Sequence, residues 1–185
     1  MRWMQNTILA TALLAVLSAG AARAEEGVKV DCKETNLTFD APGFDVDCKD
    51  FSRSSVSVGE ANAATKTYTL FAMSEADLTF LHVFSNRVLG GTGFYFTKRS
   101  LEAEIEDNFT AKFSDWGSED DVGDYEVKHV TAAFKNDDPV ECFAFRKLGS
   151  RRQVGFAGMT VGFACSAGGR DHALDALKRF AGETK

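Results

Sequence analysis

Four cysteines, three histidines, a crowd of acids and a short run of bases are the residues of this sequence whose chemistry could reach beyond packing. The cysteines Cys32, Cys48, Cys142 and Cys165 form an even set with no Cys-x-x-Cys pair to lower a thiol pKa and no zinc-type spacing, so two structural disulfides are expected. Three pairings are possible; proximity favours Cys32 with Cys48 and Cys142 with Cys165. His82 is expected on a strand face with Leu78, Phe80 and Phe84, and His129 follows Tyr125 and Val127 on another strand. A histidine on an apolar strand face is more often core than catalyst, and geometry decides which. His172 falls in the first turn of a helix.

The charged runs point to ion binding of opposite sign. Asp115, Glu119, Asp120, Asp121 and Asp124 offer the oxygens Ca²⁺ takes, but the spacing is not that of an EF-hand, and a solvated acidic loop is the expectation. Arg146, Lys147, Arg151 and Arg152 could together hold a phosphate, an acidic protein or an anionic lipid headgroup. No Gly-x-Ser-x-Gly, His-Glu-x-x-His or Ser-x-x-Lys pattern occurs, and Lys98-Arg99 follows Gly90-Gly91-Thr92-Gly93 at the wrong distance for a phosphate loop. No cofactor or metal is implied, and no catalytic set.

These residues need elements to position them. Strands are expected over Asn36 to Phe39, Val46 to Phe51, Ser54 to Val58, Thr65 to Met73, Leu78 to Phe84 and Tyr125 to Phe134, with turns at Ala41-Pro42-Gly43, Ser74 to Asp77 and Asn136 to Pro139. Leu101, Ile105, Phe109 and Phe113 recur every four residues, which predicts an amphipathic helix from a Ser100 cap to about Asp115-Trp116-Gly117. A second helix is expected from an Asp171 cap through Ala173, Leu174, Leu177 and Phe180 to Lys178, Arg179 and Gly182.

The second cysteine pair constrains register. Were 140 to 148 and 159 to 165 joined by a tight turn at Gly149 to Arg152, Cys142 would face Met159 and lie about 20 Å from Cys165, too far to bridge. A long loop over 149 to 158 brings them opposite. It would also choose between two copies of one tetrapeptide, Val154-Gly155-Phe156-Ala157 and Val161-Gly162-Phe163-Ala164, in favour of the second. Each bridge is expected to contribute about 3 kcal/mol.

Strands at hairpin spacing with two amphipathic helices give an α+β domain, an antiparallel sheet with the helices packed on its faces, stabilised by disulfides. Residues 1 to 24 read as a cleaved export signal: Arg2, an apolar stretch from Ile8 to Leu17, and Ala22-Arg23-Ala24 before Glu25. The remaining chain, 25 to 185, is one domain without a transmembrane segment. It keeps 19 of 21 basic residues and all 27 acidic ones, a net −8 that removes the electrostatic basis for nucleic-acid binding.

Leu37-Thr38-Phe39-Asp40-Ala41-Pro42-Gly43-Phe44, with the order of elements across 35 to 181, resembles the Mog1/PsbP-like α/β/α sandwich. The resemblance implies a layout; it carries no functional residue, because members of that group do different things. The expectation is therefore an exported, periplasmic or extracellular, non-catalytic binding or envelope-accessory domain whose partner is an anionic envelope component or a protein. The alternative is a small exported enzyme using His129 or His82 with a neighbouring acid.

Overall fold

Alternating Thr, Tyr, Leu, Phe and Val residues on either side of Ser74-Glu75-Ala76-Asp77-Leu78 build the longest hairpin, β4 (Ala61–Ser74) with β5 (Thr79–Gly91). The computed structural model describes residues 27–58, 61–91, 95–135 and 138–182. The expected signal at 1 to 24, Thr92 and Gly93 of the glycine bend, and Asn136 and Asp137 of the expected turn lie outside the described residues. β5 is longer than the sequence suggests, since Gly90 and Gly91 still pair with Ala64 and Ala63.

On the outer side of β4 lie β2 (Asp45–Asp50), then β1 (Val28–Val30), while β3 (Arg53–Val58) pairs with the start of β4. The other half of the sheet contains β6 (Lys112–Ser114), β7 (Glu119–Val122), β8 (Tyr125–Ala133) and β9 (Val140–Leu148). The last strand, β12 (Gly158–Ser166), enters between β5 and β9 and joins the halves, giving the order β1-β2-β4-β5-β12-β9-β8-β6 with every pairing antiparallel. Between β9 and β12 the expected long loop folds back on itself as a two-residue ribbon, β10 (Arg151–Arg152) with β11 (Gly155–Phe156).

Both disulfides form as proximity favoured, and no cysteine is free. Cys142 stands directly opposite Cys165, with Met159 opposite Leu148, so it is the second tetrapeptide copy that occupies the sheet centre. Cys32 follows β1 in a single 3₁₀ turn, Cys32–Glu34, and bonds to Cys48 on β2.

The helices α1 (Leu101–Asn108) and α2 (Arg170–Ala181) lie on opposite faces. On one face Leu70, Ala72, Leu81, Val83, Phe143, Phe145 and Ala164 pack against Ala173, Ala176, Leu177 and Phe180 of α2. On the other, Val130, Ala132, Cys142, Ala144, Val161 and Phe163 pack against Leu101 and Ile105 of α1. The molecule is thus a mostly antiparallel sheet with two short helices and two disulfides.

Four expectations are corrected. Asn36 to Phe39 is not a strand: Thr35 Oγ1 takes the Leu37 N–H and donates to backbone carbonyls, so local bonds replace a ladder while Leu37 is buried in the core. α1 stops at Asn108, because Phe109 is already extended at φ −133° and ψ 142° and Phe113 belongs to β6. A four-residue spacing fits a helix turn and also a strand's two-residue alternation, and here it crosses from one to the other. α2 is not capped by Asp171; Gly169 precedes it at φ +112°, and Asp171 lies in its first turn. Its C-cap is Gly182 at φ +80°, as expected. The acidic stretch, finally, is largely not loop, since β7 pairs with β8 around Gly123 at φ +58°, the sign that a tight hairpin turn of this kind reserves for glycine.

Candidate functional site

Alternation along β5 sends Phe80, His82 and Phe84 to the face that carries α1, together with Phe71 and Met73 of β4 and Phe163 of β12. α1 packs over β9 and β12 and, being only two turns long, does not extend over β4 and β5. The chain leaving it drops Phe109 onto the sheet, with the Phe109 N–H held by the Ile105 carbonyl, and Phe134 closes the opposite side after β8. The result is an aromatic trough of about 520 Å³ lined by Phe71, Met73, Phe80, His82, Phe109, Ala111, Phe134 and Phe163. Phe71 and Met73 remain 40% and 39% exposed, unusual for apolar side chains in the middle of a sheet.

His82 is the centre of this trough. Ring centroids of Phe109, Phe71 and Phe163 lie 5.0, 5.8 and 5.8 Å from its own, all edge-on. It makes no hydrogen bond and meets no carboxylate among the described residues. Burial lowers its pKa from 6.5 to about 4, so the imidazole is neutral over the ordinary range. An acid–base role with a neighbouring acid has no partner here. Leu78, expected on the same face, instead sits exposed in the turn at φ +47°.

A second depression of about 470 Å³ continues the first: Phe71, His82, Asn108 and Phe109 belong to both, and it extends to Phe84, Thr69, Lys49 and Asp47. The trough therefore runs from a mostly aromatic end to a charged rim on β2. Asp47 is held by Lys29 at 2.6 Å.

His129 does meet an acid, Glu141 across the β8–β9 pair, and its ring stacks edge-on against Phe143 at 5.6 Å. Glu141 faces two hydroxyls in register, Thr131 on β8 and Ser166 on β12, and Ser166 donates to the Asp77 carbonyl and accepts from Gly168 N–H. Ser166 thus fixes the turn into α2 and is not poised as a nucleophile. His172 lies in the first turn of α2, 3.9 Å from Asp77. No group of three or more metal-ligating side chains occurs among the described residues, so the acids at 115 to 124 do not gather around a common point.

The expected basic cluster is not one surface. Adjacent strand residues point to opposite faces, and Arg146 goes inward: it is 1% exposed, donates to both Glu126 carboxylate oxygens at 2.7 and 2.8 Å, and donates to the Arg99 carbonyl at 2.6 Å. Burial pushes the Glu126 carboxyl up, but hydrogen bonds from Arg146 and Lys98 outweigh it and leave its pKa below the ordinary value. Lys147 faces the other way, bonded to Asp124 at 2.7 Å and lying over the Tyr125 ring. Arg151 and Arg152, on the β10 ribbon, stay exposed. Arg146 is removed from any contact surface by its burial.

The sequence singled out His82 but missed its site, because Phe109, Phe134 and Phe163 reach it from distant segments. The one local signal was the Phe80-x-His82-x-Phe84 alternation. No helix among the described residues is long and apolar enough to cross a membrane. Comparison with protein-family models, with characterised proteins and with solved structures finds no match to this chain.

Proposed function

We propose that this chain is an exported, disulfide-stapled binding domain whose ligand face is the aromatic trough centred on His82, and that it takes a small, elongated, largely apolar molecule. The observation that carries this reading is the open floor of Phe71, Met73, Phe80 and His82, left uncovered where α1 ends. A volume of about 520 Å³ falls within the range of small-molecule sites, and aromatic walls with a few polar groups are their usual lining. Two disulfides suit an oxidising compartment and support export, with the periplasm as the proposed location. Helices on opposite sheet faces support a Mog1/PsbP-like layering, which by itself suggests no ligand.

The test is saturable binding of an uncharged naphthyl fluorophore to the oxidised protein. Wild type should bind, and Phe71→Ser/Met73→Ser should bind at least tenfold more weakly while melting cooperatively. No saturable binding by wild type, or equal binding by the variant, overturns the reading.

A second reading rests on the His129–Glu141 contact, an acid-oriented imidazole suited to general base catalysis. It predicts an ester- or amide-cleaving activity that His129→Ala abolishes, measured on a panel of chromogenic esters. Absence of turnover by wild type removes it.

A further inference from the structure

The trough has a polarity that runs across the strands, and this limits what can lie in it. On its face, β2 contributes Asp47 and Lys49, whereas β4, β5 and β12 contribute Phe71, His82 and Phe163 in one row and Thr69 and Phe84 in the next. From β2 to β12 is three strand spacings, about 14 Å. Among the described residues lining the trough, Lys49 is the one cation. It is exposed and has no ion pair there, since Asp47 is taken by Lys29 at 2.6 Å. Lys29 stands directly opposite Lys49 on β1, and its own charge is matched by Asp47, so that of Lys49 is the one left over. Asp45 lies on the same face four residues from Lys49, about 13 Å away along the strand, and is not part of the lining. His82, neutral above about pH 4, adds no competing charge to the apolar stretch.

Resting on the reading of the trough as a ligand site, we propose that its ligand is a single-chain anionic amphiphile, with the apolar tail over Phe71, Phe80 and Phe163 and a carboxylate or comparable headgroup at Lys49. The concave shape, walled by Phe109 and Phe134, suits one extracted molecule; a bilayer surface would meet those walls before the floor. A charge at the rim and a hydrocarbon body in the groove make the two ends separable by substitution.

The experiment displaces the uncharged naphthyl fluorophore with dodecanoate, with dodecanol and with dodecane, using wild type and Lys49→Gln. Wild type should bind dodecanoate at least fivefold more tightly than dodecanol, with the difference shrinking between low and high salt as exposed charges are screened. Lys49→Gln should bind both equally and keep the wild-type affinity for dodecanol. Equal displacement by acid and alcohol in wild type overturns the headgroup assignment while leaving the trough a ligand site. Fluorophore binding with no displacement by any of the three overturns the amphiphile. No fluorophore binding at all overturns the site and the inference with it. Phosphatidylglycerol vesicles should not sediment wild-type protein; sedimentation without dodecanoate binding would assign the face to a membrane surface and overturn the proposal.

Discussion

The two faces of this sheet carry similar apolar residues and meet different fates. On one, α2 runs 12 residues, about 18 Å, and its Ala173, Ala176, Leu177 and Phe180 cover the central strands, with Leu37 sealing the same side. On the other, α1 runs 8 residues, about 12 Å, and leaves the β4–β5 portion open with Phe71 and Met73 at the surface. The covered half of that second face is instead pinned by charge: Arg146 to Glu126, and Lys128 of β8 to Glu102 of α1 at 2.7 Å. A sheet needs only as much cover as its stability demands, and what remains apolar and open is available for binding.

Four substitutions or conditions test this contrast, from the largest effect down. Leu177→Asp puts an unpaired charge into the closed face, and no cooperative thermal transition should remain by circular dichroism. A cooperative melt near that of wild type would mean that α2 is not docked as described. Arg146→Ala leaves Glu126 in the pinned half of the other face with Lys98 alone as partner and should cost about 3 kcal/mol in urea unfolding, with Arg146→Met/Glu126→Leu recovering most of it. If the single and double variants are equally destabilised, the ion pair is not what holds that half.

The third test is pH. The unfolded chain protonates His82 near 6.5 whereas the folded chain holds it neutral to about 4, so between those values the unfolded state binds the extra proton. Stability present above pH 6.5 should therefore fall on acidification by roughly 3 kcal/mol more in wild type than in His82→Phe. Parallel curves for the two proteins would place His82 in water. Least affected should be Phe71→Ser, about 1 kcal/mol by the same unfolding assay, because its side chain is already 40% exposed. A loss of several kcal/mol would show Phe71 to be core and the trough closed.

Much of the fold was legible from residue patterns alone. Covalent geometry made the Cys142–Cys165 register readable, since only one strand alignment brings two sulfurs within reach. The β4–β5 hairpin and α2 followed from alternation and from an apolar stripe closed by Gly182. α1 was overextended because Phe109 and Phe113 keep a spacing that both periodicities accept. The basic run is divided for a simpler reason: Arg146 and Lys147 are neighbours on a strand and face opposite ways. The trough was barely legible. Its floor comes from two paired strands and its walls from chain ends after α1 and β8, and no window of sequence contains them together.

The place of β12 in the sheet also fixes an order of events during synthesis. Strands between residues 28 and 91 and between 112 and 148 form two half-sheets, and the strand that joins them, Gly158–Ser166, is the last of the described strands to be made. Until it arrives, β5 and β9 each present an unpaired backbone edge beside apolar side chains, the condition in which chains associate with one another. Joining them requires contacts between residues far apart in sequence, which slows folding. A nascent chain of this protein is thus most prone to aggregate just before its sheet closes, and a truncation ahead of Gly158 would leave that state permanent.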